Sequence, residues 1–208
     1  MYIRDHFRTN PQDLGVFLAQ ITTGTLVTTD PSTGRIVASF LPWVFTKENT
    51  LTTHLGLINP QAHHSGEAVV IFMGEDAYVS EEWLRAGSAP SWNYETVHVY
   101  GDLIIHRESD WIIDSFQDIM KKYSSKTNED YDQDWLETQT RACVGVEITI
   151  TEIEAKSKLS QNLSAVEIQR ISSHLETTCP GLASRMRQVS LPHIEDRERR
   201  VEQARRRG

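Results

Sequence analysis

Pro90-Ser91-Trp92-Asn93-Tyr94 carries the residue types that hold a flat aromatic ligand. A proline opens a turn, two rings offer stacking surfaces, and the carboxamide between them has two donors and an acceptor for a ring edge. The segment runs straight into Glu95–Gly101, where β alternation divides successive side chains between two faces. The competing reading is that Trp92 and Tyr94 are ordinary buried rings that pin a loop. Further on, Lys156-Ser157-Lys158-Leu159-Ser160-Gln161-Asn162 is dense in side-chain donors.

The histidines are the other candidates for chemistry. His54, His63 and His64 lie close in sequence, and His98 sits on one face of an alternating run. A metal needs three or more convergent ligands, and the adjacent pair His63-His64 points apart in any regular element, so no metal is expected. One axial histidine suffices for haem, which stays as a rival cofactor. No nucleophile elbow, phosphate-cradling glycine loop or dinucleotide fingerprint occurs. The two cysteines, Cys143 and Cys179, have no metal or disulfide spacing, which points to reduced thiols.

These residues must be positioned by elements that the sequence punctuates clearly. Asn10-Pro11-Gln12-Asp13 is a helix start, followed by Leu14, Phe17, Leu18 and Ile21 on one face. Residues 25–29 and 35–41 flank Asp30-Pro31-Ser32-Thr33-Gly34 and read as a hairpin, with Pro42 confined to a strand end or edge. A short strand over Leu51–His54 ends at Gly56, and Asn59-Pro60 opens a helical turn or two. Strands are expected at Ala68–Gly74, resuming after a break at Ala77–Ser80, then at Val97–His106 and Val144–Thr151. Amphipathic periodicity predicts a helix over 109–123, a polar loop over 124–134, and helices over 164–176 and 181–189. The stretch from His193 to Arg207 mixes acids with six arginines and reads as a solvated helix laced with charge pairs.

The order is strands, a helical excursion, a returning strand and a helical tail. That is mainly β with peripheral helices (α+β), an antiparallel barrel or sandwich rather than β-α-β units. We expect a barrel domain over 1–165 and a helical extension over 166–208. With 29 acidic and 21 basic residues the net charge is −8, so direct contact with nucleic acid or anionic membrane is not expected. No run approaches the ~18 apolar residues of a membrane span, and a cytoplasmic protein is expected.

Together, Gly24–Thr29, Leu41-Pro42, His54, Asn59-Pro60-Gln61, Ala77–Ser80 with Trp83, Pro90–Tyr94 with Val97–Gly101, and Lys158-Leu159-Ser160-Gln161-Asn162 resemble the PaiB-like FMN-binding split-barrel family, also described as negative transcriptional regulators. The resemblance spans about residues 1–165 and implies a split β-barrel homodimer with small-molecule pockets at its interface. It implies FMN as cofactor, contacted by Trp92, Asn93 and Tyr94 at the ring and by Lys158, Ser160, Gln161 and Asn162 as polar partners. His54, Asn59 and Gln61 would line the phosphate region, and Lys158, Tyr94 or His98 would supply acid and base chemistry.

Departures from the family pattern concentrate at the phosphate. Where the family carries a basic residue between His54 and Asn59, this chain has Leu55-Gly56-Leu57-Ile58, and Phe40, Ala62 and Leu163 replace further polar or aromatic positions. A charged phosphate contact is worth about 1.5–3 kcal/mol, so its loss weakens this half of the site. A flavin-dependent oxidoreductase, a flavin-binding or ligand-sensing regulator, and a flavin-free enzyme using the same pocket are the three functions in view.

Overall fold

The computed structural model describes residues 1–20, 22–46, 49–124 and 130–207. Seven strands form one antiparallel sheet: β1 (Thr23–Thr29), β2 (Ile36–Pro42), β3 (Val44–Phe45), β4 (Thr50–Gly56), β5 (Gly66–Val79), β6 (Ser91–His106) and β7 (Cys143–Lys158). Their order is β2-β1-β5-β6-β7-β4-β3, with β2 and β3 at the edges of an unclosed sheet. The helices are α1 (Pro11–Gln20), α2 (Ser109–Tyr123), α3 (Gln133–Arg141), α4 (Ala165–Leu175), α5 (Pro180–Arg185) and α6 (Leu191–Arg207). The fold is of the split-barrel type that the resemblance implies.

The chain divides into two compact units. The first comprises residues 1–18, 73–97 and 155–208, and the second 19–72 and 98–154.

In the second unit the predicted hairpin forms, with Thr23 opposite Pro42 and Thr29 opposite Ile36. Pro42 ends edge strand β2, where its missing amide costs no ladder bond. Strand alternation buries Leu26, Val70, Phe72, Val99, Val146 and Ile148 on one sheet face. The opposite face of β2 is open and apolar: Ile36 and Phe40 are 71 and 72% exposed. Gly101 is required by a close approach, since a Cβ there would lie 2.2 Å from the Thr149 carbonyl oxygen.

In the first unit a buried apolar cluster gathers Val79 and Leu159 with Ile168, Ile171, Leu175, Leu182, Met186 and Ile194 from the C-terminal helices. Helix α4 starts on a capping box in which the Ser164 hydroxyl accepts from the Glu167 amide and the Glu167 carboxylate accepts from the Ser164 amide. Between α5 and α6, Met186–Ser190 widens into a π turn. That turn lets the Ser190 hydroxyl donate to the Leu159 carbonyl at 2.7 Å.

The structure amends the expected elements in a few places. Strand β5 runs unbroken through Gly74-Glu75-Asp76, where a break was expected. Strand β6 starts at Ser91, so Trp92-Asn93-Tyr94 is strand rather than turn. Strand β7 continues to Lys158, and α3 occupies part of the region read as a loop or left unassigned. Ile21 and residues 125–129 of the expected loop lie outside the described residues.

Candidate functional site

The two candidate segments meet within the first unit. Because Trp92-Asn93-Tyr94 is extended, the rings point to one face and Asn93 to the other. Asn93 is 1% exposed, and its carboxamide exchanges two hydrogen bonds with the Ser160 hydroxyl, Nδ2 donating at 2.9 Å and Oδ1 accepting at 3.1 Å. Asn93 Nδ2 also lies 3.4 Å from Met186 Sδ. Asn93 and Ser160 are thus a buried clasp between β6 and the turn after β7, and a ring stacked on Trp92 or Tyr94 would lie on the far side of the strand from Asn93.

The clasp needs a sharp reversal after Lys158. Ser160 takes a left-handed φ of +68°, a conformation most side chains avoid. Gln161 wires the turn from inside: its Nε2 donates to the Ser157 carbonyl at 2.5 Å and its Oε1 accepts from the Leu159 amide at 2.8 Å. Those bonds consume the polar groups that were candidates for ligand contacts.

Tyr94 and Lys158 meet on the ring-bearing face. The Lys158 ammonium donates to the Ser91 hydroxyl at 2.6 Å and to the Trp92 carbonyl. It sits 5.9 Å from the centre of the Tyr94 ring, and Lys156 approaches the same ring at 5.3 Å. Partial burial lowers the Lys158 pKa, and the neighbouring Lys156 charge lowers it further. Tyr94, Lys158 and Asn162 border a cavity of about 450 Å³, together with Tyr2, Arg4, His6 and Lys156. A second hollow of about 350 Å³ is lined by Pro90, Ser91, Asn93, Lys158, Ser160 and Asn162 among others. Trp92 is half exposed and donates through its indole nitrogen to Asp76 at 2.7 Å, with Tyr78 edge-on to its ring.

A buried ion pair stands directly behind Tyr94. Glu95 receives Arg185 Nε at 2.9 Å, Arg185 Nη2 at 3.0 Å and the Ser157 hydroxyl at 2.7 Å. Arg185 reaches Asp13 of α1 at 3.4 Å as well. This bidentate contact raises the already high pKa of Arg185 and ties β6, β7, α1 and α5 together.

The residues expected around a phosphate lie in the second unit, where Asn59 and Gln61 are used internally. His54 is packed edge-on to Phe116 with ring centres 4.5 Å apart, its Nδ1 makes no hydrogen bond, and burial lowers its pKa. Asn59 caps the turn at Pro60–His63 by accepting from the Gln61 amide at 2.9 Å, and it donates to Ser39. Gln61 is fully buried and donates to the Thr28 hydroxyl at 2.9 Å. Leu57 and Ile58 are exposed, Ile58 fully so, and no cation takes their place in the segment. Arg107, which follows β6, donates to the Ala62 carbonyl of that turn at 3.0 Å. His98 is half-buried on β6 with its pKa lowered by burial, beside Tyr100 at 6.3 Å between ring centres.

A family model described as "Putative FMN-binding domain" matches residues 1–152. The chain belongs to that FMN-binding domain family. The match ends before Lys156, so the Lys158–Asn162 segment lies outside it. Among curated relatives, the protease synthase and sporulation protein PAI 2 of Bacillus subtilis is 30% identical over 188 residues, which cover 85% of this chain and 89% of that protein. Among solved structures, a conserved hypothetical protein, Rv2991, from Mycobacterium tuberculosis superposes with a TM-score of 0.58 at 14% identity, covering 79% of this chain and 94% of that one. A FAD- and haem-binding protein from Mycobacterium smegmatis superposes with a TM-score of 0.53 at 15% identity, covering 74% of each chain. At such identities these two structures speak for the fold.

For an FMN-binding family member, the two halves of the ligand fare differently in these residues. The cavity at Tyr94 and Lys158 lies within the ~300–1,000 Å³ range of small-ligand sites and joins an aromatic wall to hydrogen-bond donors, which suits a flavin ring. The His54–Pro60 segment offers a phosphate no charged donor. Sequence reasoning missed Tyr2, Arg4, His6 and Lys156. No local pattern announces them: Arg4 precedes a 3-10 turn over Asp5–Phe7 that carries His6, and the segment meets Lys156 only through the fold. Among the described residues no group of three metal-ligating side chains converges, and no helix is long and apolar enough to cross a membrane.

Proposed function

We propose that the protein binds FMN with its ring system in the cavity bordered by Tyr94, Lys158 and Asn162, and that it acts as a flavin-dependent oxidoreductase on a small molecule. The observation that supports this best is the Asn93–Ser160 clasp, which brings the aromatic and lysine-bearing segments together and leaves Lys158 and Tyr94 facing one hollow. FMN, when bound, supplies hydride or electron transfer. The chain's own contribution is a half-desolvated ammonium held by Ser91 and the Trp92 carbonyl, ready to counter negative charge on a reduced ring, and a stiff Tyr94 wall set by the ion pair behind it.

The reading includes a homodimer. The outer face of β2 exposes Ile36, Ala38 and Phe40 on an edge strand, an apolar surface that a second copy of this chain would cover. Sedimentation of wild type and Phe40→Asp checks this, a dimer and a monomer being the respective expectations.

A second reading, a flavin-binding regulator, is favoured by the match to the sporulation protein PAI 2 over 85% of this chain. The visible spectrum of the purified protein, before and after incubation with FMN, is the first test. Flavin bands that survive gel filtration support the proposal; a Soret band would put haem in its place, and a colourless protein after reconstitution defeats it. Lys158→Met separates the two roles, since an oxidoreductase should show a more negative flavin potential and slower turnover, whereas a regulator's partner binding need not change.

A further inference from the structure

The cavity beside Tyr94 is more basic than a site for a neutral ring system requires. Arg4, His6, Lys156 and Lys158 all border it, and none of its lining residues is a carboxylate. Among the described residues, neither Arg4 nor Lys156 nor Lys158 has an ion-pair partner. That is unusual in a chain of net charge −8. The segment carrying Arg4 and His6 is fastened along β7. Arg8 bridges to Lys156, the Thr9 amide donates to the Ala155 carbonyl at 3.2 Å, and the Thr9 and Ser157 hydroxyls meet at 2.8 Å. The Lys156 ammonium also reaches the Tyr2 carbonyl at 3.4 Å. These contacts hold cations together around one hollow against their mutual repulsion, which an anion bound there would relieve.

We infer that Arg4 and Lys156, with His6, form the anion-binding end of this cavity and take the phosphate monoester of an aromatic ligand whose ring lies against Tyr94. The site stands in for the basic residue missing between His54 and Asn59, so the phosphate contact has moved to the N-terminal segment and the end of β7. Lys158 belongs to the ring end and Arg4 to the phosphate end, and Lys156 lies over the Tyr94 ring. The inference rests on the flavin reading for the ring but not for the anion.

The test compares FMN with riboflavin, which lacks the phosphate, by equilibrium fluorescence titration of wild type, Arg4→Gln/Lys156→Gln and Leu57→Arg. Lys156→Gln alone serves as a milder variant, with circular dichroism as the check on folding. Wild type is expected to prefer FMN at least tenfold. The double variant should lose that preference while its riboflavin affinity stays within about twofold, and Leu57→Arg should leave it unchanged. Equal binding of both flavins by wild type overturns the anion site and leaves the flavin proposal standing. So does an FMN preference that survives in the double variant, or one that only Leu57→Arg creates. Should neither flavin bind, the flavin proposal fails and inorganic pyrophosphate decides the inference by thermal shift at fixed ionic strength. A rise in melting temperature lost in Arg4→Gln/Lys156→Gln upholds it, and no rise in wild type overturns it.

Discussion

Replacing Arg185 by Met should be among the most damaging single changes in the first unit. Arg185 and Glu95 side chains are only 12 and 7% exposed, and the guanidinium supplies two of the three hydrogen bonds that the Glu95 carboxylate receives. Arg185→Met leaves a buried carboxylate with the Ser157 hydroxyl as its remaining donor. Removing one partner of a buried pair costs about 3–5 kcal/mol, whereas the more exposed contact to Asp13 adds at most about 1 kcal/mol. For a chain of this size each kcal/mol moves the melting temperature by roughly 2–4 °C, so a fall of roughly 6–20 °C is expected. Urea denaturation of Arg185→Met, Glu95→Gln and the double variant forms a cycle. The double variant removes both charges and should be at least about 2 kcal/mol more stable than the sum of the single losses predicts. A single-variant cost below about 1 kcal/mol, or strict additivity, would refute the claim that this pair is what stiffens β6 behind Tyr94.

Two further outcomes follow from the same geometry. Ser160→Ala strips the two Ser160 hydrogen bonds from the buried Asn93 carboxamide, leaving the 3.4 Å contact to Met186 Sδ, and should cost about 2–3 kcal/mol in urea denaturation, with the loss visible as weaker flavin binding because the two site segments are no longer clasped. A cost within experimental error would mean that water or Met186 replaces the hydroxyl. His54 has its pKa lowered by burial, so its neutral form favours the folded state: the stability is present above the ordinary histidine value and is lost as pH falls through that value. His54→Phe should therefore flatten the dependence of stability on pH between about 7.5 and 5.5. An unchanged slope would assign that dependence to other groups.

The sequence made the local elements readable and left their distant partners hidden. The hairpin of β1 and β2, helix α2 and the alternating part of β7 follow from turn residues and periodicity, which are properties of neighbouring positions. Helix α3 was missed because Leu136 is its buried apolar anchor, Trp135 beside it is half exposed, and the other residues are polar. Strand β5 looks broken at Gly74-Glu75-Asp76, yet Gly74 gives room to the Phe17 ring, which a Cβ would approach to 2.9 Å, and Glu75 is held by the Leu182 amide at 2.8 Å. Both explanations lie far along the chain. The candidate site divides in the same way. Its residue types were legible, but Pro90 and Asn93 imitate a turn, and the strand that replaces it turns Asn93 inward to Ser160, 67 residues away. The basic lining from Arg4 and Lys156 depends on a bridge between Arg8 and Lys156 that no local pattern announces.

The wide turn at Met186–Ser190 sets the compass for everything after it. Deleting one of its residues would let the backbone relax into an ordinary helix while swinging every later side chain by about 100° around the axis. Ser190 would leave the Leu159 carbonyl, and the paired acids and arginines from Asp196 to Arg206 would face a different quarter of the solvent. The direction of that charged end is thus fixed by one extra residue some turns upstream.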